Sequence, residues 1–219
     1  MPIDSWGGVT YLASKRSAQP SAKDVADYGR WFHAQWSFIR SRLELRPGDG
    51  VLEIGAGFGG LYKLLPRNVS YRGIDPDRVA IEFANSNVAR RRFVTCAIED
   101  VPDVPAFDVI LAFEVLEHCA DPTQAVKRIR SLLRPGGRFC GTTPYPFHKN
   151  VVRDPTHLFV LHPENWRRLF IKSGFGSIQL WPMSYLPALW RLNPRFNIRL
   201  PLYIPFAGIV STCLIIASV

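Results

Sequence analysis

Cysteine is scarce in this chain of 219 residues: Cys96, Cys119, Cys140 and Cys213 are the four, and no two lie within 20 residues of one another. With no Cys-x-x-Cys pair and no Cys–His ligand spacing, a structural zinc site is not expected. The apolar neighbours of these residues suggest buried free thiols in a reducing compartment. The opening stretch MPIDSWGGVTYLASKRS has no continuous apolar run, so a secretory signal is not expected. Internal repeats and low-complexity tracts are missing as well. Acid is in short supply: 18 Asp and Glu stand against 27 Lys and Arg, a net charge of +9. That balance suits an anionic partner, whether nucleic acid, a phosphorylated substrate or an anionic membrane face, and does not choose among them.

What is present reads as globular. Hydrophobic residues are 47% and charged ones 21%, ordinary usage that excludes disorder, collagen and coiled coil for the whole chain. The length fits one domain of 1–219, able to bury about 70% of its unfolded surface. Residues 200–219, LPLYIPFAGIVSTCLIIASV, carry no charge and are about as long as a membrane span. Pro201, Pro205 and the pair Ser211–Thr212 favour a loop followed by a buried strand over 212–218. Membrane contact through 200–219 is the alternative. A cytoplasmic location is expected, at the membrane periphery if that contact is made.

Residues 24–45 place Val25, Tyr28, Phe32, Trp36, Ile39 and Leu43 at helical spacing. This helix is the cover formed by residues 1–49, ended by Pro47–Gly48. Strand–helix alternation follows. Strands are expected over 50–54, 69–74, 92–96, 107–113, 138–143 and 175–181. Helices are expected near 58–65, 77–89, 121–133 and 163–173. The pattern predicts an α/β fold: a Rossmann-like, seven-stranded, mostly parallel sheet with helices on both faces and an antiparallel last strand. Residues 182–211, rich in proline and aromatics, read as an insertion between a core at 50–181 and its last strand.

The strongest motif is VLEIGAGFGG at 51–60. A buried strand delivers the chain to a glycine turn that permits positive φ and close backbone approach to a ligand, with the start of the next helix offering unpaired N–H groups. Gly55, Gly57 and Gly60 also satisfy the dinucleotide fingerprint. Asp75 in GIDPD lies 20 residues beyond Gly55, where a carboxylate can accept from both hydroxyls of a ribose. Asp77 is the better helix cap. Glu53 precedes the first glycine, and FDVILAFEVLEH ends its strand in acids.

At this point the chain resembles the class I S-adenosylmethionine-dependent methyltransferases. VLEIGAGFGG is similar to their first motif, GIDPD to the second, FDVILAFEVLEH to the fourth-strand motif and LLRPGGRF to the lead into strand five. The resemblance covers about 50–181 and the last strand, 212–218. It implies S-adenosylmethionine as cofactor, with Glu53 helping to hold its amino-acid portion and Gly55, Ala56 and Gly57 lying against it. Asp75 and Pro76 would border the ribose. The family's Gly-Asp-Ala run after strand three is Cys96–Ala97–Ile98 here, so its Asp is missing. Ile98 would stack on the adenine and Glu99 would supply the polar contact. Phe113 and Glu114 would line the methionine end. The resemblance also speaks against nucleic-acid methylation on exocyclic amines, because the Pro-Pro-Tyr type motif is not found after strand four. The run Arg90–Arg91–Arg92 reads as a solvated helix end.

An alcohol or phenol acceptor needs a base. The segment TPYPFHKNVVRDPTHLFVLHPENW follows strand five, where ligands bind in such sheets. Asp154 and His157 are the acid–base candidates, with Asp154 orienting the imidazole; a loop-pinning role for His157 competes. His118 is a candidate for substrate contact, His148 a weaker one, and His162 belongs to a helix start. Tyr145, Phe147, Trp181, Tyr185 and Trp190 are candidates for an apolar acceptor pocket. Tyr28 and Trp31 are candidates to close over the cofactor. The expected reaction is O-methylation of a small acceptor, by family analogy a sugar or glycan precursor, and the basic charge suits a phosphorylated or nucleotide-linked one. A membrane-associated methyltransferase of a lipid, a nicotinamide-dependent oxidoreductase and a non-catalytic cofactor-binding module are the alternatives.

Overall fold

The computed structural model describes residues 22–146, 151, 154–185, 199–204 and 210–219. Expectations attached to residues 1–21, to Phe147, His148 and Trp190, and to the middle of 182–211 lie outside these. So do the side chains of Tyr28, Trp31 and Tyr185.

Five strands build the parallel part of the sheet: β1 (Gly50–Ile54), β2 (Ser70–Asp75), β3 (Phe93–Thr95), β4 (Phe107–Phe113) and β5 (Leu133–Pro144). β6 (Ser177–Tyr185), β7 (Arg199–Leu200) and β8 (Val210–Ser218) extend it to eight strands in the order β3-β2-β1-β4-β5-β8-β6-β7. β8 runs antiparallel to both of its neighbours, β5 and β6. The reversed last strand expected at 212–218 is therefore present. It lies inside the sheet with Cys213, Leu214, Ile215 and Ala217 buried, so these strand residues face the core rather than a membrane. Among the described residues, no helix is long and apolar enough to cross one.

The central strands are apolar on both faces because helices cover both. In β1 and β4, Val51, Val109, Leu111 and Phe113 point to one layer, while Leu52, Ile54, Ile110 and Ala112 point to the other. α1 (Ala22–Leu43) and α2 (Arg78–Asn87) cover the first layer; α3 (Pro122–Leu132) and α4 (Pro163–Lys172) cover the second. On α1 the helical spacing buries Phe32, Trp36, Ile39 and Leu43, each contributing about 1.5–3 kcal/mol of transfer free energy. Glu44, at φ 49°, breaks the helix there. Arg138 Nη1 then caps it, donating to the carbonyls of Leu43 at 2.7 Å and Glu44 at 3.0 Å. Asp77 and Asp121 cap α2 and α3, each accepting from the N–H groups of the first turn.

The structure departs from the sequence expectations at three places. No α-helix forms over 58–65: the chain makes turns and then one 3₁₀ segment, Tyr62–Leu64. Gly57 and Gly59 hold φ of 49° and 74°, and left-handed residues cannot seed a right-handed helix. β5 starts five residues early, its register with β4 shifting between Phe107 and Val109 to absorb the turn at Gly136. The first residues assigned to the 182–211 insertion instead continue β6, which pairs with β7.

Candidate active site

The chain reverses direction across the sheet between β1 and β4. Ligands of open α/β sheets bind at the carboxyl ends beside such a switch. Those ends carry Gly55 after β1, Asp75 closing β2, Glu114 after β4 and Tyr145 after β5.

The glycine loop is fixed by close approach. A Cβ on Gly55, whose φ is 72°, would lie 2.4 Å from Val115 Cγ2. Only glycine lets this loop lie against the turn that follows β4. Ala56 donates its N–H to the Ile74 carbonyl at 3.0 Å and packs its methyl against Gly73. Gly57 donates to Asp75 Oδ2 at 2.9 Å, and Asp77 donates to Asp75 Oδ1 at 2.8 Å. The loop amides expected to be free at a helix start are thus partly spent on Asp75. Each Asp75 oxygen keeps lone-pair capacity for a further donor. Burial pushes the Asp75 carboxyl up to about 6, against the pull of these two amides. Pro76 is half-buried next to it.

Glu53 is 1% exposed, and the Tyr71 hydroxyl donates to its Oε2. Burial pushes Glu53 up to about 8, and the Asp75 charge adds to the rise. Ile98 departs from expectation. At 1% exposure it sits in the core layer of Ile54, Ile74 and Leu116, and offers no open face to an adenine. Glu99 beside it is exposed. Phe113 is buried and makes an edge contact with Phe32 of α1, ring centroids 5.8 Å apart.

The turn after β4 collects acids and imidazoles. Glu114 holds φ of 54°, and its Oε1 is buried without a hydrogen bond. Burial pushes its carboxyl up to about 7. Leu116–His118 form a 3₁₀ turn that carries Glu117 to full burial. Neither Glu117 carboxylate oxygen makes a hydrogen bond, and burial, then the Glu114 charge, raise its pKa well above the usual carboxylate range. The Glu117 carbonyl accepts the amides of Leu158 at 2.8 Å and Phe159 at 3.0 Å, docking the loop after β5 onto this turn. His118 Nδ1 lies 2.9 Å from the Thr156 carbonyl, and the His118 and His157 rings are 4.8 Å apart. Burial, reinforced by His157, lowers the His118 pKa.

Asp154 does not orient His157 as expected. Its Oδ1 accepts from the amide and hydroxyl of Thr156 at 3.0 and 2.7 Å, while His157 Nδ1 faces the Val151 carbonyl at 2.8 Å. Asp154 shapes the loop, and a backbone carbonyl sets the imidazole. The aromatic wall is also corrected. Tyr145 stacks on Tyr203 at 3.7 Å, whereas Trp181 lies under the Arg42 guanidinium with the other core layer. These two do not line one pocket. His162 caps α4 through Nδ1 as expected, and Arg90, Arg91 and Arg92 are exposed. Glu117 is the residue that sequence reasoning missed. An acid that follows the apolar pair Val115–Leu116 and precedes His118 was the available signal, since a glutamate carried into apolar surroundings must find a counter-charge.

Comparison with known proteins agrees with this fold. Residues 52–139 match the family model described as a methyltransferase domain. The ubiquinone biosynthesis O-methyltransferase of Xanthomonas euvesicatoria is 33% identical over 127 residues, 52% of this chain and 52% of that protein. The chain spans from 32% to 52% of the length of the curated relatives it matches. A SAM-dependent methyltransferase from Archaeoglobus fulgidus superposes with a TM-score of 0.68 at 19% identity, covering 87% of this chain and 94% of that one. Phosphoethanolamine N-methyltransferase 2 of Haemonchus contortus, solved with phosphomonomethylethanolamine and S-adenosylhomocysteine, gives 0.70 at 15% identity, over 100% of this chain and 61% of that one.

Proposed function

We propose that this chain, a member of the class I S-adenosylmethionine-dependent methyltransferases, methylates a hydroxyl oxygen of a small, anionic acceptor of the sugar or glycan-precursor class. The observation that carries the reading is Asp75: a buried carboxylate at the end of β2, tied by one oxygen to the glycine loop and by the other to the next turn. This donor set fits a ribose, because both oxygens can still accept from vicinal hydroxyls. The glycine loop fits a ligand that approaches its backbone closely, because Gly55 and Gly57 put no side chain in the way, while the Gly57 amide holds Asp75 in place.

The cofactor, when bound, supplies a methyl on a sulfonium centre, whose carbon–sulfur bond breaks with the electron pair returning to sulfur. Asp75 orients the ribose end. Glu53 and Glu114 flank the amino-acid end, and their raised pKa values favour the neutral form until a cation arrives to stabilise the charge. The buried turn Val115–His118 excludes water beside the glycine loop. The acceptor's proton leaves at the Glu117–His118–His157 cluster. An oxygen acceptor is supported by what that cluster offers, imidazole lone pairs and a carboxylate, and by the name of the Xanthomonas relative. A phosphorylated acceptor is supported by the net charge of +9 and by the ligand named in the Haemonchus structure.

Calorimetric titration with S-adenosylhomocysteine, with NADH as control, is the test. Micromolar binding of the first alone is expected. Preferential NADH binding would overturn the reading in favour of an oxidoreductase. A methyl-transfer screen of sugars, sugar phosphates and phenols then decides the acceptor class.

A further inference from the structure

We infer that Glu117, His118 and His157 form a binding site for a divalent transition-metal ion, which takes the acceptor's oxygen as a further ligand. One ligand atom from each of the three residues lies within 4.8 Å of the others. First-row divalent ions hold such ligands at about 2.0–2.2 Å, so the cluster closes around one ion with side-chain shifts of ~1 Å.

The protonation pattern is that of a metal site before loading. The Thr156 and Val151 carbonyls can only accept, so the nearby Nδ1 atoms of His118 and His157 must each carry the proton. Each ring then presents its Nε2 lone pair. A metal-binding imidazole typically donates its other N–H to a carbonyl in this way. Glu117 supplies the independent sign: it is fully buried, and both carboxylate oxygens lack hydrogen bonds. The ionised form of an acid in that state is strongly disfavoured unless a cation meets it. His118 Nε2, 3.9 Å from Glu117 Oε1, is too far for a hydrogen bond but well placed to share an ion. The His118 side chain is 17% exposed, giving the site an opening to solvent.

Two imidazoles and one carboxylate suit Mn(II), Fe(II), Co(II) or Zn(II) better than Mg(II) or Ca(II), which prefer oxygen ligands. Three protein ligands leave coordination positions for water and for an oxygen from the acceptor. The acceptor role rests on the methyltransferase reading; the metal site itself does not. Bound to the ion, the hydroxyl loses its proton to solvent more readily, and the resulting oxygen lone pair is the one that accepts the methyl. No electron is exchanged with the metal.

The full chain, stripped with a chelator, is titrated with Co(II) and followed by visible absorption, with S-adenosylhomocysteine binding measured in parallel. Saturation at a single equivalent with micromolar affinity is expected. Glu117→Gln, His118→Ala and His157→Ala should each weaken it by more than the ~10–100-fold that loss of an outer-shell partner costs, while melting temperature and S-adenosylhomocysteine affinity stay close to the parent. His157→Gln serves as a second variant should the alanine change unfold the loop. Asp75→Ala should lose S-adenosylhomocysteine and keep Co(II). Failure to saturate, or Co(II) affinity unchanged in the histidine and glutamate variants, overturns the metal site and leaves the cofactor reading standing. Saturating Co(II) with no S-adenosylhomocysteine binding retains the site and removes the cofactor reading.

Discussion

The two sides of the switch point treat buried charge in opposite ways. On the β1–β2 side the polar groups satisfy one another: Asp75 takes two backbone amides and Glu53 takes the Tyr71 hydroxyl. On the β4 side Glu114 Oε1 and both Glu117 oxygens are buried with no hydrogen bond. Buried polar groups without partners are rare and expensive. The first side is finished by the chain itself, and its ligand adds contacts to a built frame. The second is unfinished, and its ligand must supply the missing charge. Gly55 and Val115 join the two sides, since their contact is what brings the loops together.

The contrast can be broken from either side. The largest effect belongs to the unfinished side: His157→Ala is expected to lower turnover by about 10²–10⁴-fold, with S-adenosylhomocysteine affinity within twofold of the parent, measured by steady-state kinetics and calorimetry. Normal turnover would remove the cluster from catalysis. Asp75→Ala acts on the finished side. Losing charge-assisted bonds worth about 1.5–3 kcal/mol each should weaken S-adenosylhomocysteine by ~10²-fold or more, and unchanged affinity would refute the ribose role. Gly55→Ala strikes the junction. Its Cβ meets Val115 and its φ is 72°, so a stability loss of about 2–3 kcal/mol is expected in urea melts. Val115→Ala added to Gly55→Ala should recover part of it, because the clash is with that side chain.

Legibility divides along the same line. The glycine motif, Asp75, the Asp77 cap and the reversed strand at 212–218 are readable because each is a local requirement: a positive φ, a strand end, a helix start, an apolar run. The helix over 58–65 was misread because periodicity does not reveal that Gly57 and Gly59 are left-handed. The Asp154–His157 pair was misread because spacing along a loop does not give side-chain direction; Thr156 captures the carboxylate. Glu117 was missed because its partners come from residue 118 next door and from a loop 40 residues away, and a single sequence does not show that long-range contact.

The smallest effect sharpens what a finished site costs. Glu53 has its carboxyl raised from 4.5 to about 8 by burial. An acid raised on folding binds its proton more tightly in the native state. Its contribution is therefore complete below about 4.5 and lost as pH climbs through about 8. The cofactor-free protein should lose stability across that window from this group. Asp75, raised to about 6, adds to the lower half of it. Glu53→Gln keeps the shape and the bond to Tyr71 but cannot ionise, so urea melts of this variant should show a flatter pH profile than the parent. An identical slope in both would mean that Glu53 ionises freely where it stands, and the β1–β2 side would be less closed than its hydrogen bonds imply.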